Sequence, residues 1–116
     1  MNTPPTTLNR ALAAAASAQV EGLAAIFKLL ADPTRLRILA ALAEHGSLCV
    51  HELTTELGMR QPAISQQLRM LRAARLVRGR RDGREIHYVL DDAHVLALLS
   101  EGLKHVGHGG AHGAAL

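Results

Sequence analysis

Gly58 and the Asp82-Gly83 pair constrain this chain more than any other residues in it. Gly58 separates two short stretches with helical apolar spacing. The first covers about Val50 to Leu57; the second opens near Gln61-Pro62 and turns Ile64, Leu68 and Leu71 inward. Two short helices that meet at a glycine fit a helix-turn-helix, in which the second helix can enter the major groove of a duplex. After Leu76 the pattern becomes extended, and Asp82-Gly83 lies between Leu76-Val77-Arg78 and the β-prone run Ile86 to Leu90, which predicts a hairpin.

Charge gives this region its chemistry. Eight arginines (60, 69, 72, 75, 78, 80, 81 and 84) face one acidic residue, Asp82, between positions 60 and 84. The window is +7 while the whole chain is only +3, so the basic character belongs to one contiguous segment and points to a polyanion. A merely solvated basic face is the bland alternative. Against it, the polar N-terminal face of the second helix carries Gln61, Ser65 and Gln66, residue types that hydrogen-bond base edges or phosphates. Arg81 and Arg84 line the hairpin tip, where a wing beside a recognition helix reaches phosphates or the minor groove. The fold expected is mainly α with a small β-hairpin, a winged helix-turn-helix. Phe27 and Tyr88 are the only aromatic residues, too few for a base-stacking platform, so double-stranded DNA is the expected partner.

The rest of the chain frames this unit. With 116 residues and 48 % hydrophobic content it is one domain's worth and can bury a core. Residues 1–7 and the Gly/His-rich residues 107–116 read as flexible ends around a domain over 8–106. Helices are expected over Leu8 to Ala18, over Val20 to Leu30, from Asp32-Pro33 to Gly46, and over Ala93 to Val106. Cys49 has no partner for a disulfide, and no basic start precedes an unbroken apolar run; a cytoplasmic protein with no membrane segment is expected.

Seven histidines are many for this length, and Asp92-x-His94 and His105-x-x-His108 bracket the last helix. Eleven steps of 100° bring His105 back to within roughly 20° of the face of His94, but about 16 Å along the axis. Zinc donors sit about 2 Å from the ion, so one helix cannot close a four-ligand site. Two copies packed antiparallel can: Asp92 and His94 of one chain would meet His105 and His108 of the other, giving two equal sites in a homodimer. The alternative is that Asp92 only caps its helix and the histidines are surface residues.

The run Leu30 to Leu39 (Leu-Ala-Asp-Pro-Thr-Arg-Leu-Arg-Ile-Leu), the Leu48 to Leu53 segment, the Gln61 to Leu68 helix and the Asp-Gly-Arg wing together resemble the ArsR/SmtB family over roughly residues 20 to 108. The resemblance implies a homodimeric repressor that leaves its operator when metal binds. It further implies a subgroup that senses Zn(II) or Co(II) through Asp92, His94, His105 and His108. A second family site, built on a Cys-x-Cys pair, is incomplete here: Cys49 matches its first cysteine, His51 stands at the second, and there is no other cysteine. A small buried Cys49 in the core is the simpler reading.

Three imidazoles and a carboxylate suit a closed tetrahedral zinc site, while His112 could add a ligand for octahedral Ni(II) or Co(II). The expected function is therefore a DNA-binding repressor released by Zn(II) and controlling metal efflux or sequestration. A regulator answering to Ni(II), Co(II) or no metal is the alternative. A metalloenzyme is disfavoured, because four protein ligands leave no open position for water.

Overall fold

The computed structural model describes residues 6–13 and 16–109, with the side chains of residues 8, 12, 13, 108 and 109 outside that description. The elements in chain order are α1 (Thr7–Ala13), α2 (Ser17–Leu30), α3 (Pro33–His45), β1 (Leu48–Cys49), α4 (Val50–Leu57), α5 (Gln61–Ala73), β2 (Val77–Asp82), β3 (Glu85–Leu90) and α6 (Ala93–Gly109). The sheet order is β1-β3-β2 with every pairing antiparallel. No helix among the described residues is long and apolar enough to cross a membrane.

Local chemistry fixes most boundaries. Asp32 Oδ2 accepts from the Arg35 amide at 2.9 Å, Pro33 occupies the first turn, and Gly46 closes α3 at φ 83° with its amide donating to Leu42 O. Gly58 ends α4 in the left-handed region at φ 64°, as its lack of a side chain allows. Ile38, Leu39, Leu42, Leu53, Ile64, Leu68, Leu71 and Val77 are fully buried and form one core shared by α3, α4, α5 and the start of β2.

Four expectations shift. The helix expected over Leu8 to Ala18 is broken at Ala16, which is extended (φ −68°, ψ 155°): α1 covers Thr7–Ala13, and α2 begins at Ser17 rather than Val20 because the Gln19 side chain accepts from the Ala16 amide at 3.0 Å and sets the helix start there. The turn of the hairpin is centred one residue later than Asp82-Gly83. Asp82 pairs with Glu85, leaving Gly83-Arg84 as the two central residues, and only the first has positive φ (66°), the pattern that calls for glycine there. The strand β1 has no counterpart in the sequence reading; two residues are too few to show alternation, and its pairing of Leu48 with Tyr88 and Cys49 with His87 is a tertiary contact. Helix α6 continues past Val106 to Gly109, so the backbone at His108 is helical. His112 and the rest of residues 110–116 lie outside the described residues, as do residues 1–5.

Candidate nucleic-acid interface and metal ligands

On α5, the buried positions Ile64, Leu68 and Leu71 leave a polar stripe on the other side of the helix. Gln61 and Gln66 are exposed on it, and Ser65 is half-buried. Arg69 and Arg72 continue the stripe and are both exposed. The helix ends at Ala73, and two residues on stands Arg75, the one non-glycine residue among those described with φ in the left-handed region, at 61°. A Cβ there is strained, and an exposed arginine occupies the place where glycine is the usual residue.

The wing sorts its residues by the pleat. Residues opposite one another in an antiparallel pair share a face, so Gly79 with Tyr88 and Arg81 with Ile86 lie on one side, Arg80 with His87 and Asp82 with Glu85 on the other. The side of Gly79 is that of α5: a Cβ built on Gly79 would lie 3.7 Å from Arg72 Nη1 and 2.9 Å from Ile86 Cγ2. Arg81 thus projects on the recognition-helix side of the hairpin, and Arg84 sits in the turn; both are exposed.

The carboxylates of this region gather on His87 instead of the arginines. Glu85 Oε2 lies 3.4 Å and Asp82 Oδ2 3.9 Å from its Nε2, with Glu52 Oε1 4.0 Å from its Nδ1. Among the described residues no carboxylate lies within 4.0 Å of the guanidinium of Arg69, Arg72, Arg78, Arg80, Arg81 or Arg84. Local neutralisation is avoided, and the positive surface stays available to an outside anion.

Cys49 is buried where β1 meets α4, and its amide donates to Glu52 Oε1 at 2.9 Å. That bond holds the Glu52 carboxyl below its ordinary value, while burial pushes the Cys49 thiol up and keeps it neutral. A neutral buried thiol is a poor metal ligand. His51, two residues on, is exposed.

At the start of α6, Asp92 Oδ1 accepts from the backbone amides of His94 (2.8 Å) and Val95 (3.2 Å) and so caps the helix. The same oxygen lies 3.4 Å from His94 Nδ1, and the His94 side chain is 97 % exposed. Capping therefore occupies one carboxylate oxygen and leaves Asp92 Oδ2 and His94 Nε2 without a partner among the described residues. His105 is exposed eleven residues along the same helix. Among the described residues the only three donors within 4.8 Å of one another are Glu44, His45 and Glu56, at the ends of α3 and α4. This group, absent from the sequence reading because its members are far apart in the chain, works as an ion pair. His45 Nε2 and Glu56 Oε1 are 3.1 Å apart, and this bond raises the His45 pKa above its ordinary 6.5.

A large apolar surface accompanies the metal candidates. Val20, Leu23, Phe27 and Leu36 on the N-terminal side and Leu96, Leu98, Leu103 and Val106 on α6 are all exposed. A groove of about 390 Å³ runs between Phe27, Leu36, Ala40, Leu99 and Leu103.

Comparison with known proteins agrees with this architecture. Residues 32–78 match the family model "Bacterial regulatory protein, arsR family". The chain is 44 % identical to a transcriptional repressor SmtB homolog of Synechocystis sp., over 76 % of this chain and 66 % of that protein, just under two thirds of its length. It is 47 % identical to the HTH-type transcriptional regulator NmtR of Mycobacterium tuberculosis, over 80 % of this chain and 74 % of that one. It also superposes with a TM-score of 0.73, at 26 % identity, on the homodimeric winged helix-turn-helix DNA-binding domain of a possible ArsR-family regulator from Mycobacterium bovis, covering 95 % of this chain and 93 % of that one. The helix-turn-helix, the wing and these similarities agree: the chain belongs to the ArsR/SmtB family of bacterial transcriptional regulators.

Proposed function

We propose that this chain is a homodimeric repressor of the cytosol that binds operator DNA through α5 and the wing and is released by Zn(II), so controlling genes for metal efflux or sequestration. Gln61, Ser65 and Gln66 read bases in this mechanism, and Arg81 and Arg84 hold phosphates. The metal would be held by Asp92 and His94 of one protomer with His105 and His108 of its partner.

The observation that carries the reading is the arrangement along α6. Asp92 and His94 converge at its first turn with one carboxylate oxygen and one ring nitrogen that have no partner among the described residues. His105 lies beyond their reach on the same straight run of helix, about 16 Å along the axis. The donors of one chain do not close a site, and the exposed apolar residues of α2 and α6 offer the surface on which a second copy would bring the missing pair. Imidazole and carboxylate donors, with a buried neutral thiol left out, favour a borderline ion such as Zn(II) over a soft one. When bound, the ion would cross-link the two α6 helices and fix one spacing between the two recognition helices.

Subunit mixing tests the arrangement. One variant carries Asp92→Ala and His94→Ala, the other His105→Ala and His108→Ala; each homodimer should lose tight Zn(II) binding at both sites. After unfolding and refolding the two together, a heterodimer holds one intact Asp92/His94 pair opposite one intact His105/His108 pair. Tight binding should return at one ion per heterodimer. Its continued absence in verified heterodimers overturns the intersubunit site. Operator binding titrated with Zn(II), Co(II) and Ni(II) in parallel identifies the effector, and affinity unchanged by all three would reject metal control.

A further inference from the structure

A cleft with basic lining lies between α5 and the wing. Ser65, Arg69 and Arg72 of α5 and Tyr88 of β3 line this cleft of about 200 Å³ where the recognition helix meets the wing. Its floor is apolar, provided by Leu68. We propose that this cleft seats one phosphodiester of the DNA backbone and fixes the recognition helix against the duplex before any base is read. The proposal rests on the DNA-binding reading above.

Three observations converge on it. The residue set is that of an oxoanion seat: two guanidiniums and a phenol, with no carboxylate in the lining. The charges there are not neutralised from within, because among the described residues no carboxylate comes within 4.0 Å of Arg69 or Arg72, and the wing's Asp82 and Glu85 are turned to His87 on the opposite face of the hairpin. The third observation is Gly79, paired with Tyr88 on the neighbouring strand. A Cβ at that position would lie 3.7 Å from both Arg72 Nη1 and Tyr88 Cε1, so the bare backbone leaves the guanidinium and the phenol ring together over the strand. A side chain there would also have to displace Ile86, whose Cγ2 would lie only 2.9 Å away.

The donor set, rather than the volume, sets the ligand's class: a cleft of about 200 Å³ has room for a tetrahedral phosphate, and its guanidiniums favour an oxoanion. Arginine's planar fork suits a bidentate grip on such an anion, which a lysine would give only as a point charge. Contacts of this kind position a protein on DNA and carry no sequence information. The seat therefore sets the register in which Gln61 and Gln66 meet the bases.

The test uses the full-length protein and a duplex selected by it from a random-sequence library. Single backbone phosphates of that duplex are replaced in turn by neutral methylphosphonates, and each duplex is titrated with wild type, Arg72→Gln and Tyr88→Phe. Besides the phosphates held by Arg81 and Arg84, wild type should show one further position per half-site where neutralisation weakens binding about tenfold, which is about 1.4 kcal/mol. At that position alone, Arg72→Gln should respond less than about twofold, since the same contact cannot be lost twice. Tyr88→Phe, which keeps the ring, should show a smaller version of the same coupling. A duplex bound well by wild type with no position coupled to Arg72 overturns the seat while leaving the DNA-binding reading intact. If no duplex is selected at all, that reading fails and the seat with it. Saturable binding of inorganic phosphate to the DNA-free protein at submillimolar concentration, abolished by Arg72→Gln, would make the cleft a free-anion site and likewise overturn the proposal.

Discussion

The two halves of this molecule treat their apolar residues in opposite ways. Between α4 and β3, the large side chains are finished within one chain: Leu53, Ile64 and Leu71 have no exposure at all. Along α2 and α6 several large side chains face outward, with Leu103 63 % and Val106 62 % exposed, while Leu30 and Val95 join the core. The first half is closed, with the polar and basic residues of α5 and the wing exposed, and in the function proposed above it is the reading head. The second half is apolar and open, and Asp92 and His94, the pair that would hold metal in that proposal, lie at the start of α6. In that proposal the reading head is complete within one chain and the control half is not, so the two would be coupled through assembly: the missing donors and the apolar cover would both come from α6 of another copy.

The contrast breaks most visibly in stability. Ile64→Ala should cost about 2–5 kcal/mol, because a fully buried β-branched side chain leaves a cavity in the shared core. That loss belongs to the protomer. Leu103→Glu should leave the wing and α5 folded yet weaken self-association, because it places a charge on the face that a second copy would cover. Urea unfolding at several protein concentrations, combined with sedimentation velocity, separates the two outcomes. If Leu103→Glu left the mass of the species unchanged, the open half would not be the association surface.

The same division governs what was legible in the sequence. Helix-turn-helix and wing could be read from local signals: Gly58, Pro62 and the glycine of the hairpin turn each state a backbone conformation that few other residues tolerate. Even there the turn centre was off by one residue, since Asp-Gly and Gly-Arg centring differ only in the register of strand pairing. Helix α6 was recognisable from Val95, Leu98 and Leu99, but its continuation to Gly109 was hidden by the glycines at 107 and 109, which ordinarily mark a helix end. The clusters around His87, His45 and the α5–wing cleft were invisible for a different reason. Each joins residues from separate elements, and nothing in linear spacing announces that Glu52, Asp82 and Glu85 meet at one imidazole.

A smaller effect sharpens the description of the reading head. Arg84 sits in the hairpin turn, exposed and without a carboxylate within 4.0 Å among the described residues, so its replacement should touch neither the core nor the base-reading face. Arg84→Ala should weaken binding to selected and random duplexes alike and lower the salt dependence of binding by about one unit of slope. A change in sequence preference at unchanged salt dependence would place Arg84 at a base edge and not on a phosphate.

The smallest predicted effect lies between the halves, where His45 at the end of α3 meets Glu56 near the end of α4. The bond from Glu56 raises the His45 pKa, so the folded state binds the imidazole's proton more tightly than the unfolded chain does. The sign follows: the contribution is complete below the ordinary value of 6.5 and is lost as pH rises through the raised value. Glu52 shifts the other way, because the Cys49 amide stabilises its anion. Its contribution is present above its ordinary 4.5 and disappears as pH falls through the lowered value. Both groups are exposed to solvent, and added salt should shrink both effects. Unfolding midpoints measured across pH should therefore be highest between the two windows, and Glu56→Gln should flatten only the alkaline limb. An alkaline limb unchanged in Glu56→Gln would mean that the His45–Glu56 bond does not carry that limb.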